Sequence, residues 1–104
     1  PPQVVTDTGI MLPLKDAAPG LDGRPVIYGI RPEHFVIDSE KGIPAEVSVV
    51  EPTGSETQVF ARLGGQDIVA VFRERIAVGP GDKLPLSPNP KLVHLFDQDR
   101  GRRI

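Results

Sequence analysis

Glycine and proline constrain this chain more than any other feature of its sequence. Eleven glycines and twelve prolines are spread through 104 residues as punctuation and do not gather in one tract. Proline lacks a backbone donor and its ring clashes with the preceding helical turn, so it breaks helix interiors. Glycine supplies the positive φ angles that tight turns demand. No window longer than about ten residues escapes both and also carries the apolar spacing of an amphipathic helix. The stretch 55–63 lacks both residue types, yet its apolar residues alternate instead of following a helical stripe. The chain reads as all-β.

Short alternating runs separated by turn signals fill the sequence. Ile10, Leu12 and Leu14 alternate, and residues 16–23 read as a loop. Val26, Tyr28 and Ile30 put one apolar face on the next strand, which is expected to stop at Pro32. A short strand over 35–37 ends at Asp38-Ser39-Glu40-Lys41-Gly42. The strand over 43–50 places Ala45, Val47 and Val49 on one face and Glu46 and Ser48 on the other, because side chains alternate across a strand. Pro52-Thr53-Gly54 is then expected to turn the chain, with Gly54 in a backbone conformation costly for a residue with a Cβ. Thr57, Val59, Ala61 and Leu63 face one side of the following strand, with Glu56, Gln58 and Arg62 opposite.

Gly64-Gly65 suits a two-residue hairpin loop, which needs positive φ. Ile68, Ala70 and Phe72 continue the ladder, while Val69 and Val71 make its other face apolar too, so this strand is expected to be buried on both sides. A turn over 79–82, a brief strand over 83–86 and a last strand over 92–96 complete the series. Seven or eight short strands at this spacing indicate a small barrel or sandwich.

The length suits one domain over 1–104, with opening strands in 1–25 and the more distinctive motifs in 26–104. A formal net charge of -2, from 14 acidic and 12 basic residues, provides no sequence-wide attraction for nucleic acid or anionic lipid. The absence of cysteine excludes disulfides and thiolate metal sites. Apolar runs are far too short to span a bilayer as a helix, and nothing at the start reads as a signal peptide. Opening on Pro1-Pro2 instead of Met, the chain reads as a piece of a longer polypeptide.

Three segments carry a family resemblance. Tyr28-Gly29-Ile30-Arg31-Pro32-Glu33-His34 resembles the G-I-R-P-E-H element of ABC importer ATPases for maltose, sn-glycerol 3-phosphate and related sugars. Val49-Val50-Glu51-Pro52-Thr53-Gly54-Ser55-Glu56-Thr57 is similar to their V-V-E-x-x-G-x-E-T segment, and His94-Leu95-Phe96-Asp97 with Gly101 and Ile104 to their closing H-L-F-D…G…I/L element. The resemblance implies the C-terminal transport-associated OB domain of the ATP-binding subunit, a small OB-like barrel of short antiparallel strands. It further implies a homodimeric parent subunit that meets transmembrane permease subunits through a separate ATPase domain, at the inner face of the cell membrane, with a regulatory protein as a further partner. ATP and Mg would belong to that ATPase domain. This chain has no G-x-x-x-x-G-K-[ST] cradle, and Gly20-Leu21-Asp22-Gly23-Arg24 has the wrong spacing and no Lys-Ser/Thr pair. No catalytic residue and no cofactor is expected here.

The candidate interaction or regulatory residues are Arg31, Glu33, His34, Glu51, Gly54, Glu56, Phe60 and Arg73. Arg31-Pro32-Glu33-His34 puts a cation, an anion and an imidazole together, or else marks a strand end where Pro32 stops the ladder. Glu51 and Glu56 flank a turn, which suits hydrogen bonds and salt bridges around it better than paired acid–base chemistry. His34 and His94 lie far apart, with no second ligand at zinc spacing. Arg73 and Arg75, with Arg100, Arg102 and Arg103, would form a basic patch, but single-strand binders also need aromatic platforms, and Phe60 is the one ring expected to face outward. Nucleic acid is therefore not expected as a partner. An alternative to the interaction module is a barrel that senses a small oxyanion or metabolite, with Arg31 and Arg73 as its clamp.

Overall fold

The computed structural model describes residues 3–17, 20–98 and 101–104. They form nine strands: β1 (Gln3–Val5), β2 (Met11–Pro13), β3 (Val26–Gly29), β4 (Phe35–Ile37), β5 (Ile43–Thr53), β6 (Glu56–Leu63), β7 (Gln66–Phe72), β8 (Lys83–Pro88) and β9 (His94–Asp97). Short 3₁₀ turns occupy Pro32–His34 and Pro90–Leu92. No helix among the described residues is long and apolar enough to cross a membrane.

Every ladder is antiparallel. β1 pairs with β2, β3 with β9, and the remaining strands run in the order β4-β8-β5-β6-β7. The chain is thus all-β and OB-like, with sheets that stay open and do not close into a barrel. Two compact units emerge: residues 31–87 hold most of the five-stranded sheet, and residues 1–30 with 88–104 hold the two small sheets.

In the larger unit, the alternation in β6 places Thr57, Val59, Ala61 and Leu63 inward, all buried. They pack in a core with Phe35, Ala45, Val47, Ala70, Phe72, Leu84 and Leu86. Burying each large apolar side chain of this set contributes about 1.5–3 kcal/mol. Thr57 is the polar residue in this core, and its Oγ1 donates to the Glu74 carbonyl at 3.0 Å, so its hydroxyl is not stranded. Gly64 and Gly65 have φ of 58° and 81°, and they connect β6 to β7 as the two-residue loop their sequence demands.

Several boundaries differ from the sequence expectation. β3 ends at Gly29, before Ile30, and β9 begins at His94 because Pro90 starts a 3₁₀ turn. β5 runs through Pro52 and Thr53, so the turn is Gly54-Ser55. Gly54 is not in the positive-φ region, and an added Cβ would meet nothing within 4 Å, so the expected conformational strain is absent. The demanding glycine is Gly42, where a Cβ would strike the Asp38 carbonyl oxygen and approach Pro85 C to 2.7 Å. In β7, Ala70 and Phe72 are buried but Val69 and Val71 are only half-buried, so the second face of this strand is partly open.

In the smaller unit, Leu12, Leu14 and Leu95 are buried. The Tyr28 hydroxyl donates to the Pro13 carbonyl at 2.7 Å, tying β3 to β2. Burial holds the Tyr28 phenol well above its ordinary pKa.

Candidate functional site

A β-bulge decides what the larger unit presents to solvent. Val47 lies opposite Ala61, but Val49 lies opposite Phe60, so Ser48 is an extra residue in β5. The extra residue reverses the alternation. Val47 points into the core at 2% exposure, whereas Val49, expected on the same face, is 45% exposed. Phe60 is in turn opposite Val69 on β7. Val49, Phe60 and Val69 therefore form an apolar row across the outer face of the sheet.

Polar rows flank it. On one side Glu46 lies opposite Arg62, Arg62 opposite Asp67, and Lys83 beyond Glu46. Arg62 donates to Asp67 Oδ1 at 3.2 Å and to the Gly65 carbonyl at 2.8 Å. This ion pair is exposed and contributes little to stability. On the other side Glu51 is opposite Gln58, and Gln58 opposite Val71. An apolar centre with a polar border is the layout of a modest protein–protein interface.

Glu51 and Glu56 share this outer face, since their partners Gln58 and Thr53 are on opposite strands of one hairpin. Neither carboxylate makes a hydrogen bond or ion pair among the described residues, so the expected tie-down of the turn by acidic side chains is not what holds it. Thr53 Oγ1 donates to the Glu56 carbonyl at 3.2 Å instead.

Arg31-Pro32-Glu33-His34 folds as a 3₁₀ turn, with Pro32 at its start and the His34 amide donating to the Arg31 carbonyl at 2.9 Å. Arg31 and Glu33 are exposed, while His34 is half-buried with an enclosed Nδ1 that has no hydrogen-bond partner. Arg73 is exposed just after β7, and neither it nor Arg31 makes an ion pair among the described residues. Arg73 and Arg75 belong to the larger unit, Arg102 and Arg103 to the smaller, and Arg100 lies outside the described residues. Of the five rings, Phe35 and Phe72 are buried. Among the described residues, no group of three His, Cys, Asp or Glu side chains is placed to hold a metal ion.

Sequence reasoning singled out Phe60 but not Val49 as part of an outward row. A residue pattern alone carries no mark of the bulge, although polar Ser48 between two valines is compatible with one.

These features define a small all-β module whose larger sheet carries an outward apolar row bordered by polar residues. Comparison with known proteins makes the assignment specific. The TOBE domain model matches residues 28–96, and the chain belongs to that family. It is 53% identical over 104 residues to an ABC transporter ATP-binding protein of Sinorhizobium fredii, covering 99% of this chain and 28% of the relative. It is 42% identical over 89 residues to the sulfoquinovosyl glycerol transport ATP-binding protein of Agrobacterium fabrum, covering 82% of this chain and 24% of that protein. Its identity to the sn-glycerol-3-phosphate import ATP-binding protein of Chromobacterium violaceum is 36% over 98 residues, covering 92% of this chain and 26% of the relative. The chain spans about a quarter of the length of these curated relatives.

Proposed function

We propose that this chain is the C-terminal interaction and regulatory domain of the ATP-binding subunit of an ABC importer for sugars or sn-glycerol 3-phosphate. In this reading it supports dimerisation of that subunit and receives a regulatory protein. ATP and Mg are handled by a separate ATPase domain, which also meets the membrane-spanning permease subunits, and the assembly works at the cytoplasmic face of the membrane. Membership of the TOBE family and the names of the relatives support this assignment.

The observation that carries the contact role is the outward Val49–Phe60–Val69 row with its polar border. Paired ATPase domains must part and rejoin while some other region stays in contact. A sheet face on each subunit that binds its counterpart raises the local concentration of the two ATPase domains for each other. Desolvating Phe60 at the centre of such a contact provides most of the gain, and the polar rows set the register.

Sedimentation equilibrium of the nucleotide-free ATP-binding subunit, with and without Phe60→Asp, tests this role. The substitution is expected to weaken self-association at least tenfold, because a carboxylate would be buried without a partner. An unchanged association constant would rule out the outer row as the dimer contact.

A further inference from the structure

Val5 and Met11, each 60% exposed, are the most exposed large apolar side chains among the described residues. They are also direct partners in the β1–β2 ladder. Residues opposite each other in an antiparallel pair point to the same face, with Cβ atoms about 4.5–5.5 Å apart. The two side chains therefore form one patch. The other face of the hairpin carries Val4 and Leu12, and Leu12 is buried.

The turn that joins the two strands is fixed in shape. The Thr6 amide donates to the Ile10 carbonyl at 2.9 Å, and the Ile10 amide donates to Thr6 Oγ1 at 3.0 Å. The Gly9 amide donates to the Thr6 carbonyl at 3.0 Å, with Gly9 at a φ of 87°. A surface already held in one geometry loses little freedom on contact. A two-stranded hairpin with strands this short also needs apolar cover to keep its form. One face has that cover, and the other, among the described residues, is largely open.

The size of the patch selects its occupant. Specific contacts between separate proteins bury about 1,200 Å² or more, and two side chains fall far short of that. A neighbour on the same polypeptide needs no such area, because its tether supplies a high local concentration. The relatives are each about four times as long as the segment this chain matches. In the reading proposed above, an ATPase domain precedes Pro1, and the chain between that junction and Val5 can span at most about 18 Å. We propose that the Val5–Met11 face of the β1–β2 hairpin seats an apolar patch of that ATPase domain, as a contact within one polypeptide. This rests on the reading of the chain as the C-terminal domain of an ATP-binding subunit. It is separate from the Phe60 row, which concerns contact between subunits.

Oxidation of Met11 reads this contact directly, because Met11 carries the one sulfur atom of the chain. Its thioether takes an oxygen atom from hydrogen peroxide, leaving the sulfoxide and water. In the nucleotide-free full-length subunit, mass spectrometry of the peptide containing Met11 should show oxidation at least tenfold slower than in the urea-unfolded subunit, at every protein concentration. A side chain 60% exposed and left uncovered would react at close to the unfolded rate, and that result would overturn the proposal. Slowing that disappears on dilution would also overturn it, by making a second copy the cover. Val5→Glu places a charge in the patch and should return Met11 to nearly the unfolded rate; unchanged slowing would mean that something other than the seated domain shields Met11. Nucleotide binding by the same preparation checks the underlying reading separately. Bound nucleotide beside a fast-reacting Met11 removes the docking surface alone, whereas no nucleotide binding removes the ATPase domain as its occupant.

Discussion

Two glycines that look alike in sequence have opposite demands. Gly42 sits where the Asp38 loop folds against β8: its amide donates to the Asp38 carbonyl at 2.8 Å, and Asp38 Oδ1 accepts the amides of Glu40 and Lys41. Those N–H groups, Lys41 foremost, hold the Asp38 carboxyl below its ordinary pKa. A methyl group at Gly42 would force backbone apart, so Gly42→Ala should cost about 1–3 kcal/mol in urea unfolding. Gly54→Ala should change stability by less than about 0.5 kcal/mol, since its turn has neither positive φ nor crowding. Equal losses at the two positions would contradict this account. Tyr28 supplies a pH-dependent counterpart. Tyr28→Phe removes the hydrogen bond to Pro13 and should cost about 0.5–1.5 kcal/mol at neutral pH. Above the ordinary tyrosine pKa of about 10, the unfolded phenol loses its proton while the buried one keeps it. The native state then binds more protons than the unfolded state, and stability falls as pH rises. The advantage of wild type over Tyr28→Phe should therefore shrink above that pH, as measured by denaturant melts along a pH series.

At the level of elements, the bulge at Ser48 governs both packing and surface. Strict alternation treats Val47 and Val49 as equivalent core residues, but the register shift separates them. Val47→Ala opens a cavity in a fully packed region and should cost roughly 2–3 kcal/mol. Val49→Ala removes a largely exposed side chain and should cost less than about 1 kcal/mol. Chemical denaturation of the two variants distinguishes them, and matched losses would mean that Val49 lies inside. The hairpins were legible in the residues where turn chemistry is local: Gly64-Gly65 announced its loop, and the β6 alternation its buried face. The end of β5 was not legible, because Pro52 sits in a strand whose last residues are exposed, where a missing donor is tolerated.

On the scale of the whole molecule, stability should be uneven. β5 and β6 have hydrogen-bonded neighbours on both sides, whereas β1 pairs only with β2 and both are three residues long. Amides of β5 and β6 should exchange slowest with solvent, and those of β1 at least tenfold faster, as read by native-state hydrogen exchange. Uniform protection would show that one cooperative core embraces every strand.

The all-β class, the succession of short strands, the inward faces of β6 and the family resemblance were determined by residues whose effects are local: proline forbids helix, glycine permits tight turns, and alternation assigns faces. Tertiary structure alone decided which valine of β5 faces water and which glycine is crowded by another segment's backbone. The physical reason is one of range. A bulge appears only when one strand is set against its neighbour, and a forbidden Cβ only when another segment closes in.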